Sequence, residues 1–440
     1  APDGGYLLDG GKQLVNNIGR AEAAVLFART DERPGSRGHS HLLVDLDAPA
    51  VDRSARYPTS GVRGCLLGGA DFTEAPVPAD ALLGEEGGAM ETVLKVFQVT
   101  RCVLPGMVVG VGDQQLRTVL SFAGRRQLYG GPVSALPLAR ATLTGAFVDL
   151  LVCDALAMVA ARTLHLVPEE ASVRSAAVKY LVPKLLQDSS YRLGVLLGAR
   201  SYVREGPFAG FQKAARDLPV VALAHASGAV CLSNIVPQLP RLADRAWRPA
   251  LDGAGQPYDE RLFRLHDPLP ALDLGRLELT ARGADSLAVL LPVFADDLAR
   301  RGPAYAGLAA LAAEFSGHLA DLADRAAALH PQDRTPVAGR RAFLLAERYV
   351  LLLAAAACLG VWRAAAEDPA GDPFLADPLW AAAALHRLAE RLGPHREPLP
   401  EAVTGALFAE LSARHEAART FDLFRTRLAV TGEPAKGVDS

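Results

Sequence analysis

The feature that most constrains this sequence is a change of apolar periodicity near Gly87. Before this point, apolar residues occur in short segments separated by clusters of Gly, Pro, Asp and Ser, as in β-strands. After it, they recur with helical spacing over four long segments, at residues 89–124, 134–166, 168–205 and 208–236. Helices of that length bury their apolar faces by packing side by side. The pattern therefore predicts an antiparallel sheet over about residues 5–84, followed by an antiparallel bundle of four long helices.

A second helical region is predicted beyond the bundle. A loop-like stretch at 252–273 leads into an Ala- and Leu-rich region that Pro and Gly interrupt several times. We therefore predict three domains: a partial middle β domain at 1–86, the helical bundle at 87–240 and a helical extension at 241–440. The predicted fold class is α+β, mostly α. No motif in the extension indicates a chemistry.

Charge, cysteine usage and hydropathy exclude several classes of protein. The net charge of -3 provides no basic footprint for nucleic acid. Five cysteines, an odd number without any CxxC pair, indicate neither a disulfide framework nor a zinc site, and they favour a cytoplasmic protein. The longest apolar run, at 349–362, has about 14 residues, whereas a membrane span needs roughly 20. We therefore predict a core helix there and no transmembrane segment.

Four local motifs, in their order and spacing, resemble the acyl-CoA dehydrogenase superfamily. The first is the pair GYLLDGGKQLVNN at 5–17 and LFART at 26–30, and the second runs from GVRG at 61–64 to the glycine pair at 87–88. The third is Thr100-Arg101 followed by RQLYGGP at 126–132, and the fourth is GARSY at 198–202 leading to Arg216-Asp217. Together these motifs span residues 5 to about 240.

The resemblance implies a flavoprotein that binds FAD. Members of this family remove an α-proton from an acyl thioester while a hydride passes from the β-carbon to the flavin, and the acyl carrier is CoA or an acyl carrier protein. Their flavin is enclosed by a helical amino-terminal domain, the sheet and the bundle. The sequence begins within the sheet, so we expect a fragment or a partner chain that supplies the first domain. A homodimer or homotetramer is expected, since the family's Arg-x-x-Tyr-Gly segment reaches across a subunit boundary.

The resemblance also assigns cofactor-binding residues. Arg126 takes the position of an arginine on the cofactor phosphates, where a planar guanidinium suits a pyrophosphate, although a solvated helix-end arginine explains it too. Tyr129 takes the family's aromatic position, or else packs on a helix. Asn16 lies in the strand near the flavin ring and has two amide donors, or else points to solvent. Gly198 opens the family's glycine turn, in which side chains here replace hydrogen at two later positions. Arg200 in that turn reaches a phosphate or is a surface residue.

The catalytic base is the largest departure from the family pattern. One family position for the glutamate lies eight residues after the Arg-Asp pair and is His225 here, followed by Ala226 and Ser227 in place of Gly-Thr. The other position, immediately before Arg101, is Thr100. We assign Thr100 and Arg101 to substrate binding. A histidine can act as a general base near neutral pH, so His225 is the predicted catalytic residue, and a packing role at a helix junction is the alternative.

Three functions stay open on the sequence alone. The first is dehydrogenation of an acyl thioester. The second is a flavin monooxygenase of the same fold, which needs no glutamate, and the third is a catalytically inactive subunit kept for assembly. No metal site is predicted, because His39 and His41 have no further ligand at matching spacing. Gly106, Gly110 and Gly112 are expected to allow close helix packing.

Overall fold

The computed structural model describes residues 4–224, 226–255, 257–393 and 396–429. The chain forms two compact units, Ala1–Gln98 and Val99–Ser440. The fold class is as predicted, with antiparallel strands first and helices after them. The boundary placed at residue 240 stays a prediction, because the second unit holds the bundle and the extension around one continuous hydrophobic core.

The first unit contains two three-stranded antiparallel sheets rather than the single sheet expected. Their strand orders are β1-β5-β4 and β2-β3-β6. The strands are β1 (Tyr6–Asn16), β2 (Ala23–Arg29), β3 (His39–Asp45), β4 (Val51–Asp52), β5 (Leu67–Val77) and β6 (Leu82–Leu83). Alternating inward side chains of both sheets, among them Leu26, Leu42, Phe72 and Val77, form one small core. The second sheet exists because β3 pairs with β2 on one side and with β6 on the other.

The first long helix, α1 (Ala89–Arg125), begins in the first unit and continues into the second. A two-stranded hairpin follows, formed by β7 (Gln127–Leu128) and β8 (Gly131–Pro132). The other bundle helices are α2 (Pro137–Leu166), α3 (Ala171–Leu197), α4 (Ala209–Leu223) and α5 (Gly228–Ile235). Helix α2 is apolar on nearly all sides, and it is buried because α3 and helices of the extension surround it.

Of the four predicted long helices, the third ends earlier than expected, and the fourth is not a single long helix. The third predicted segment, 168–205, contains α3, which ends at Leu197 and is followed by a 3-10 turn over Gly198–Tyr202. The fourth, 208–236, contains the shorter α4 and then α5, with a junction between them at 224–227. Periodicity extends across such breaks, because the residues on either side stay apolar.

The extension consists of further helices that pack against α2 and α3. They are α6 (Leu239–Leu242), α7 (Arg248–Leu251), α8 (Leu290–Arg300), α9 (Ala306–Ala327), α10 (Arg340–Glu367), α11 (Pro373–Ala376), α12 (Pro378–Ala389) and α13 (Glu401–Glu416). A π-helical turn over Ala243–Trp247 joins α6 to α7. The apolar run at 349–362 lies inside α10 and is buried throughout, which confirms the predicted core helix.

Four helical stretches among the described residues are long and apolar enough to cross a membrane, judged by length and composition alone. They are Ala89–Arg125, Pro137–Leu166, Ala209–Leu251 and Arg340–Glu367. In the second and the fourth, 94% and 78% of the most apolar window is buried inside the protein, so core packing explains their hydropathy. The absence of a transmembrane segment stays a prediction.

A buried ion pair connects the extension to the bundle. Arg387 on α12 donates two hydrogen bonds of 2.6 Å, from Nε and Nη2, to the two carboxylate oxygens of Asp149 on α2. Ser189 on α3 donates a third hydrogen bond of 2.8 Å to the same carboxylate. Burial alone would raise the pKa of Asp149, but the Arg387 guanidinium outweighs burial and holds this pKa below its usual value.

Replacement of Asp149 by Asn should lower the free energy of unfolding by roughly 3–5 kcal/mol, because it leaves the guanidinium of Arg387 buried without its counter-charge. Chemical denaturation followed by circular dichroism measures this change. The pKa of Asp149 is depressed in the folded protein, so its contribution is present above the unfolded pKa, near 4, and is lost as the pH falls below it. The difference between wild type and variant should therefore shrink in acid.

The matched control is Asp324→Asn, which breaks the 3.2 Å pair with Arg248, where the two side chains are 46% and 79% exposed. This change should cost less than about 1 kcal/mol. If the two substitutions lowered the free energy of unfolding equally, the buried Asp149–Arg387 pair would contribute no more stability than a surface pair.

Candidate functional site

Thr100 and Arg101, the predicted substrate residues, lie on α1. Thr100 is partly buried, whereas Arg101 is 3% exposed and lies close to Lys179 on α3 and Cys231 on α5. Burial raises the pKa of the Cys231 thiol, and the two cations oppose that rise. Arg101 is therefore an internal residue, and of this pair Thr100 is the one nearer to the surface.

An open apolar face follows Thr100 along α1. Val103 and Met107 are 61% and 66% exposed. A Cβ added to Gly106 or Gly110 would meet no atom within 4 Å, so the prediction that these two glycines pack closely against another helix was wrong. Gly112 does pack closely, since its added Cβ would lie 3.1 Å from Leu186 Cδ2. This stretch of α1 therefore presents a surface on which the two glycines have no side chain and the exposed Val103 and Met107 are apolar.

The Arg126 segment forms a tight hairpin at the end of α1. The backbone amide of Arg126 donates to the carbonyl of Phe122 at 2.9 Å, and the Arg126 carbonyl accepts from the amide of Val133 at 2.8 Å. Tyr129 and Gly130, between the two short strands, have φ of 53° and 85°, as a type I′ turn requires. Tyr129 is 91% exposed at the tip, so it does not pack on a helix within this chain.

The Gly198 turn meets the same end of α1. Gly198 has φ 64° and ψ -145°, a combination that is nearly restricted to glycine. Two residues later, the guanidinium of Arg200 lies 5.9 Å from the ring centre of Phe122 and 5.6 Å from that of Phe208. These distances suit cation–π contacts, so Arg200 is held in place although it is exposed.

Phe122 therefore lies beside two of the predicted cofactor segments. Arg126 follows it by four residues and closes the last helical turn on its carbonyl, and the guanidinium of Arg200 lies over its ring. The sequence could not reveal this convergence, because Phe122, Phe208 and Arg200 lie on segments far apart in the chain. The signal that was available was an arginine among the small residues Gly198, Ala199 and Ser201.

The remaining predicted residues are placed as follows. Asn16 is the last residue of β1 in the first unit, is exposed and pairs with Leu67 of β5. Arg216 and Asp217 lie on α4. His225 lies outside the described residues. Among the described residues, no three His, Cys, Asp or Glu side chains cluster as metal ligands would.

Ala226 has the backbone conformation of a glycine. Its φ of 78° lies in the left-handed region, which alanine adopts at a cost. The junction between α4 and α5 therefore keeps a glycine-like turn at the position where the resemblance expects a glycine.

Comparison with known proteins agrees with this geometry. The profile of the acyl-CoA dehydrogenase C-terminal domain matches residues 87–235. Residues 87–235 are an acyl-CoA dehydrogenase C-terminal domain. The profile matches these residues although α4, in the fourth bundle segment, is short.

The relatives of this acyl-CoA dehydrogenase domain are distant. The human mitochondrial short-chain specific acyl-CoA dehydrogenase is 27% identical over 131 residues, which are 30% of this chain and 32% of that protein. The 2-methylacyl-CoA dehydrogenase of Solanum tuberosum is 26% identical over 148 residues, 34% of this chain and 36% of its own. The chain thus spans about a third of the length of these curated relatives.

Solved structures show the same fold. The butyryl-CoA dehydrogenase of Megasphaera elsdenii superposes with a TM-score of 0.50 at 20% identity, covering 53% of this chain and 60% of that one. A putative acyl-CoA dehydrogenase of Mycobacterium smegmatis gives 0.50 at 19% identity, covering 52% and 59%. At these identities the likeness concerns the fold alone.

Replacement of Ala226 by Gly should stabilise the acyl-CoA dehydrogenase domain by roughly 1 kcal/mol, because glycine adopts a positive φ without steric cost. Thermal or chemical denaturation measures the change. The matched control is Ala229→Gly, three residues later in α5, which should destabilise by roughly 0.5–1 kcal/mol because glycine weakens a helix. Destabilisation by both substitutions would contradict the left-handed conformation at 226.

Proposed function

We propose that the protein is a flavin-dependent dehydrogenase that oxidises the α,β bond of an acyl thioester carried by CoA or an acyl carrier protein. The observation that carries this proposal is the packing of the Arg200 turn on Phe122, in the last turn of α1 just before Arg126, within a domain that matches the family profile. The substrates of the distant relatives do not determine which acyl group this protein oxidises.

The residues at this end of α1 suit FAD. A pyrophosphate needs cationic donors, which Arg126 and Arg200 provide, and a backbone that it can approach closely, which Gly198 provides. Tyr129 offers an exposed aromatic ring. Asn16, in the first unit, stays a proposed flavin contact on the resemblance alone, with two amide donors. When bound, FAD supplies the hydride acceptor of the reaction.

The chain's own residues would then bind the substrate and move one proton. The open face of α1 at Val103, Gly106, Met107 and Gly110 offers an apolar surface to an acyl chain, and Thr100 lies at its start. A neutral imidazole of His225 would take the α-proton, a role assigned from its position in the sequence. We also propose a homodimer or homotetramer, in which a second copy covers the exposed ring of Tyr129.

Replacement of Arg126 by Ala should weaken FAD binding by roughly ten- to a hundredfold, because a charge-assisted hydrogen bond to a phosphate contributes about 1.5–3 kcal/mol. Flavin absorbance of the purified protein and titration of the apoprotein with FAD measure this change. The neighbouring exposed Arg125→Ala is the matched control and should leave FAD affinity within a few-fold of wild type. A protein that stays colourless with added FAD would favour the assembly-subunit alternative.

Replacement of His225 by Ala should lower kcat by roughly a hundredfold or more while flavin content stays unchanged, as expected for loss of a general base. Wild-type activity should rise with pH through the imidazole pKa, near roughly 6.5, since the neutral ring is the form that accepts the proton. His225→Glu should restore activity and shift the rise to lower pH, and Ser227→Ala serves as the neighbouring control. A flavin-containing wild type that oxidises no thioester, together with an active His225→Glu variant, would instead indicate a non-dehydrogenase on this fold.

A further inference from the structure

His415, near the end of α13, contacts α1 through both nitrogens of its ring. Nδ1 lies 3.4 Å from Nη1 of Arg117, and Nε2 lies 3.1 Å from the hydroxyl oxygen of Ser121. The two partners are four residues apart and therefore share one face of α1. The partly buried imidazole thus joins α13 to the half of α1 that ends at Arg125.

The partners of the ring determine its protonation state. A guanidinium has only donors, so Nδ1 faces Arg117 as an acceptor and carries no proton. The proton of the neutral ring is then on Nε2, which donates it to the Ser121 oxygen. A ring in this form does not accept the hydroxyl proton, so the pair is not a nucleophile with its base. A second proton, on Nδ1, would point an N–H group at a cation, and the contact with Arg117 therefore requires the neutral imidazole.

Arg117 also holds the segment that follows α13, at residues 419–428. Its Nη2 donates to the Arg419 carbonyl at 2.6 Å, and its guanidinium lies 4.1 Å from the ring centre of Phe421. The ring centre of His415 lies 6.4 Å from that of Phe421. A cationic imidazole that displaced Arg117 would therefore disturb the packing of both α13 and the 419–428 segment on α1.

The surroundings of His415 favour its neutral form. Burial lowers the pKa of the ring below its usual value, Arg117 and Arg125 on α1 lower it further, and Glu416 on α13 opposes them. Arg117 is itself paired with Asp113, at 3.2 Å. A base whose pKa is lowered by folding stabilises the folded state above its unfolded pKa, near roughly 6.5 for histidine. That contribution is lost as the pH falls through the lower pKa of the folded state.

Two buried carboxyl groups beside this contact titrate with the opposite effect. Burial raises the pKa of Asp113 on α1, and it raises that of Asp154 on α2 to about 7. The carboxylate of Asp422, in the 419–428 segment, adds to both rises. Raised carboxyl pKa values stabilise the folded state in acid, so the effect of His415 has to be measured as a difference between two proteins that share these carboxyl groups.

We propose that neutral His415 is an acid-sensitive contact that holds α13 and the 419–428 segment against α1, and that protonation of its ring releases them. The inference goes beyond the proposed function, because it needs neither flavin nor substrate. The part of α1 that is released contains Phe122 and leads to Arg126. Acid therefore loosens the contacts beside the proposed phosphate-binding arginines.

Nuclear magnetic resonance of protein labelled in the ring nitrogens of histidine tests the protonation state. The signals that disappear in His415→Gln belong to His415. At about pH 7.5 they should show a neutral ring with its proton on Nε2, and they should titrate with a midpoint below roughly 6.5. A ring protonated on Nδ1, or a ring that is cationic at about pH 7.5, would overturn the proposal.

Hydrogen–deuterium exchange of the 419–428 segment tests the release. Wild type is compared with His415→Gln, whose neutral amide is able to accept from Arg117 and donate to Ser121 at any pH. His415→Lys places a permanent cation beside Arg117. The matched control is His266→Gln, which removes an exposed imidazole that packs on the same segment. Exchange is followed at about pH 7.5 and about pH 5.5 and is corrected for the intrinsic effect of pH.

Between these pH values, the protection of the 419–428 segment should fall by roughly three- to tenfold more in wild type than in His415→Gln, because each unit of pKa shift corresponds to about a factor of ten. His415→Lys should show low protection already at about pH 7.5, and His266→Gln should resemble wild type. Equal acid responses of wild type and His415→Gln would overturn the proposal, since Asp113 and Asp154 are present in both. If His415→Lys fails to fold, the other proteins and the titration of the ring decide.

Discussion

The second unit depends on the burial of α2, and one charged group on α2 determines how the neighbouring helices pack against it. Asp149 is 2% exposed and would be strongly unfavourable inside an apolar core if it stood alone. It receives Arg387 from the extension and Ser189 from α3, so one carboxylate fixes three helices relative to one another. A Cβ on Gly145, one turn before it, would lie 3.3 Å from Nη1 of Arg387, so the small residue leaves room for the guanidinium. Apolar packing between Ala- and Leu-rich surfaces permits several relative positions of two helices. The bidentate Arg387–Asp149 pair selects one position of α12 against α2.

The parts of the fold that could be predicted from sequence are those that local pattern determines. The apolar run at 349–362 and the length of α1 follow from composition and period. The second sheet did not follow, because the pairing of β3 with β6 joins residues about forty positions apart. The end of α4 did not follow either, since the group that binds its last turn is Lys179 on another helix. Periodicity indicates which residues are apolar, but it cannot indicate that a side chain on a different helix binds the last turn.

The candidate site divides in the same way. Arg126 and Gly198 were predicted as cofactor residues from short motifs, and both lie near one end of α1, although their roles stay predictions. Arg101 was assigned to substrate on motif order alone, and its burial could not be read from an amphipathic pattern in which an arginine counts as polar. Gly106 and Gly110 were also misinterpreted from the sequence. A glycine inside a helix indicates close packing of two helices only where a second helix is known to cross. The stacking of Arg200 on two phenylalanines required the fold itself.

The extension also acts on α1, through the segment at 419–428 that follows α13. The backbone amide of Leu423 donates to the Asp154 carboxyl at 2.9 Å, and the Phe421 amide donates to Asp113 on α1. Arg117, one turn after Asp113, donates to the Arg419 carbonyl at 2.6 Å and lies over the Phe421 ring. These contacts hold the carboxy-terminal half of α1, which contains Phe122 and ends at Arg125, next to the proposed phosphate-binding arginines.

Burial raises the pKa of Asp154 to about 7, and the nearby Asp422 carboxylate adds to the rise against the Leu423 amide. A carboxyl whose pKa is raised by folding stabilises the folded state below its unfolded pKa, and that contribution declines as the pH rises towards about 7. The contribution of Asp154 to folding therefore favours acidic over neutral solution, although the Leu423 amide itself favours the ionised carboxylate. This segment also binds α1, so a region outside residues 87–235 contacts the helix that carries the proposed cofactor-binding end.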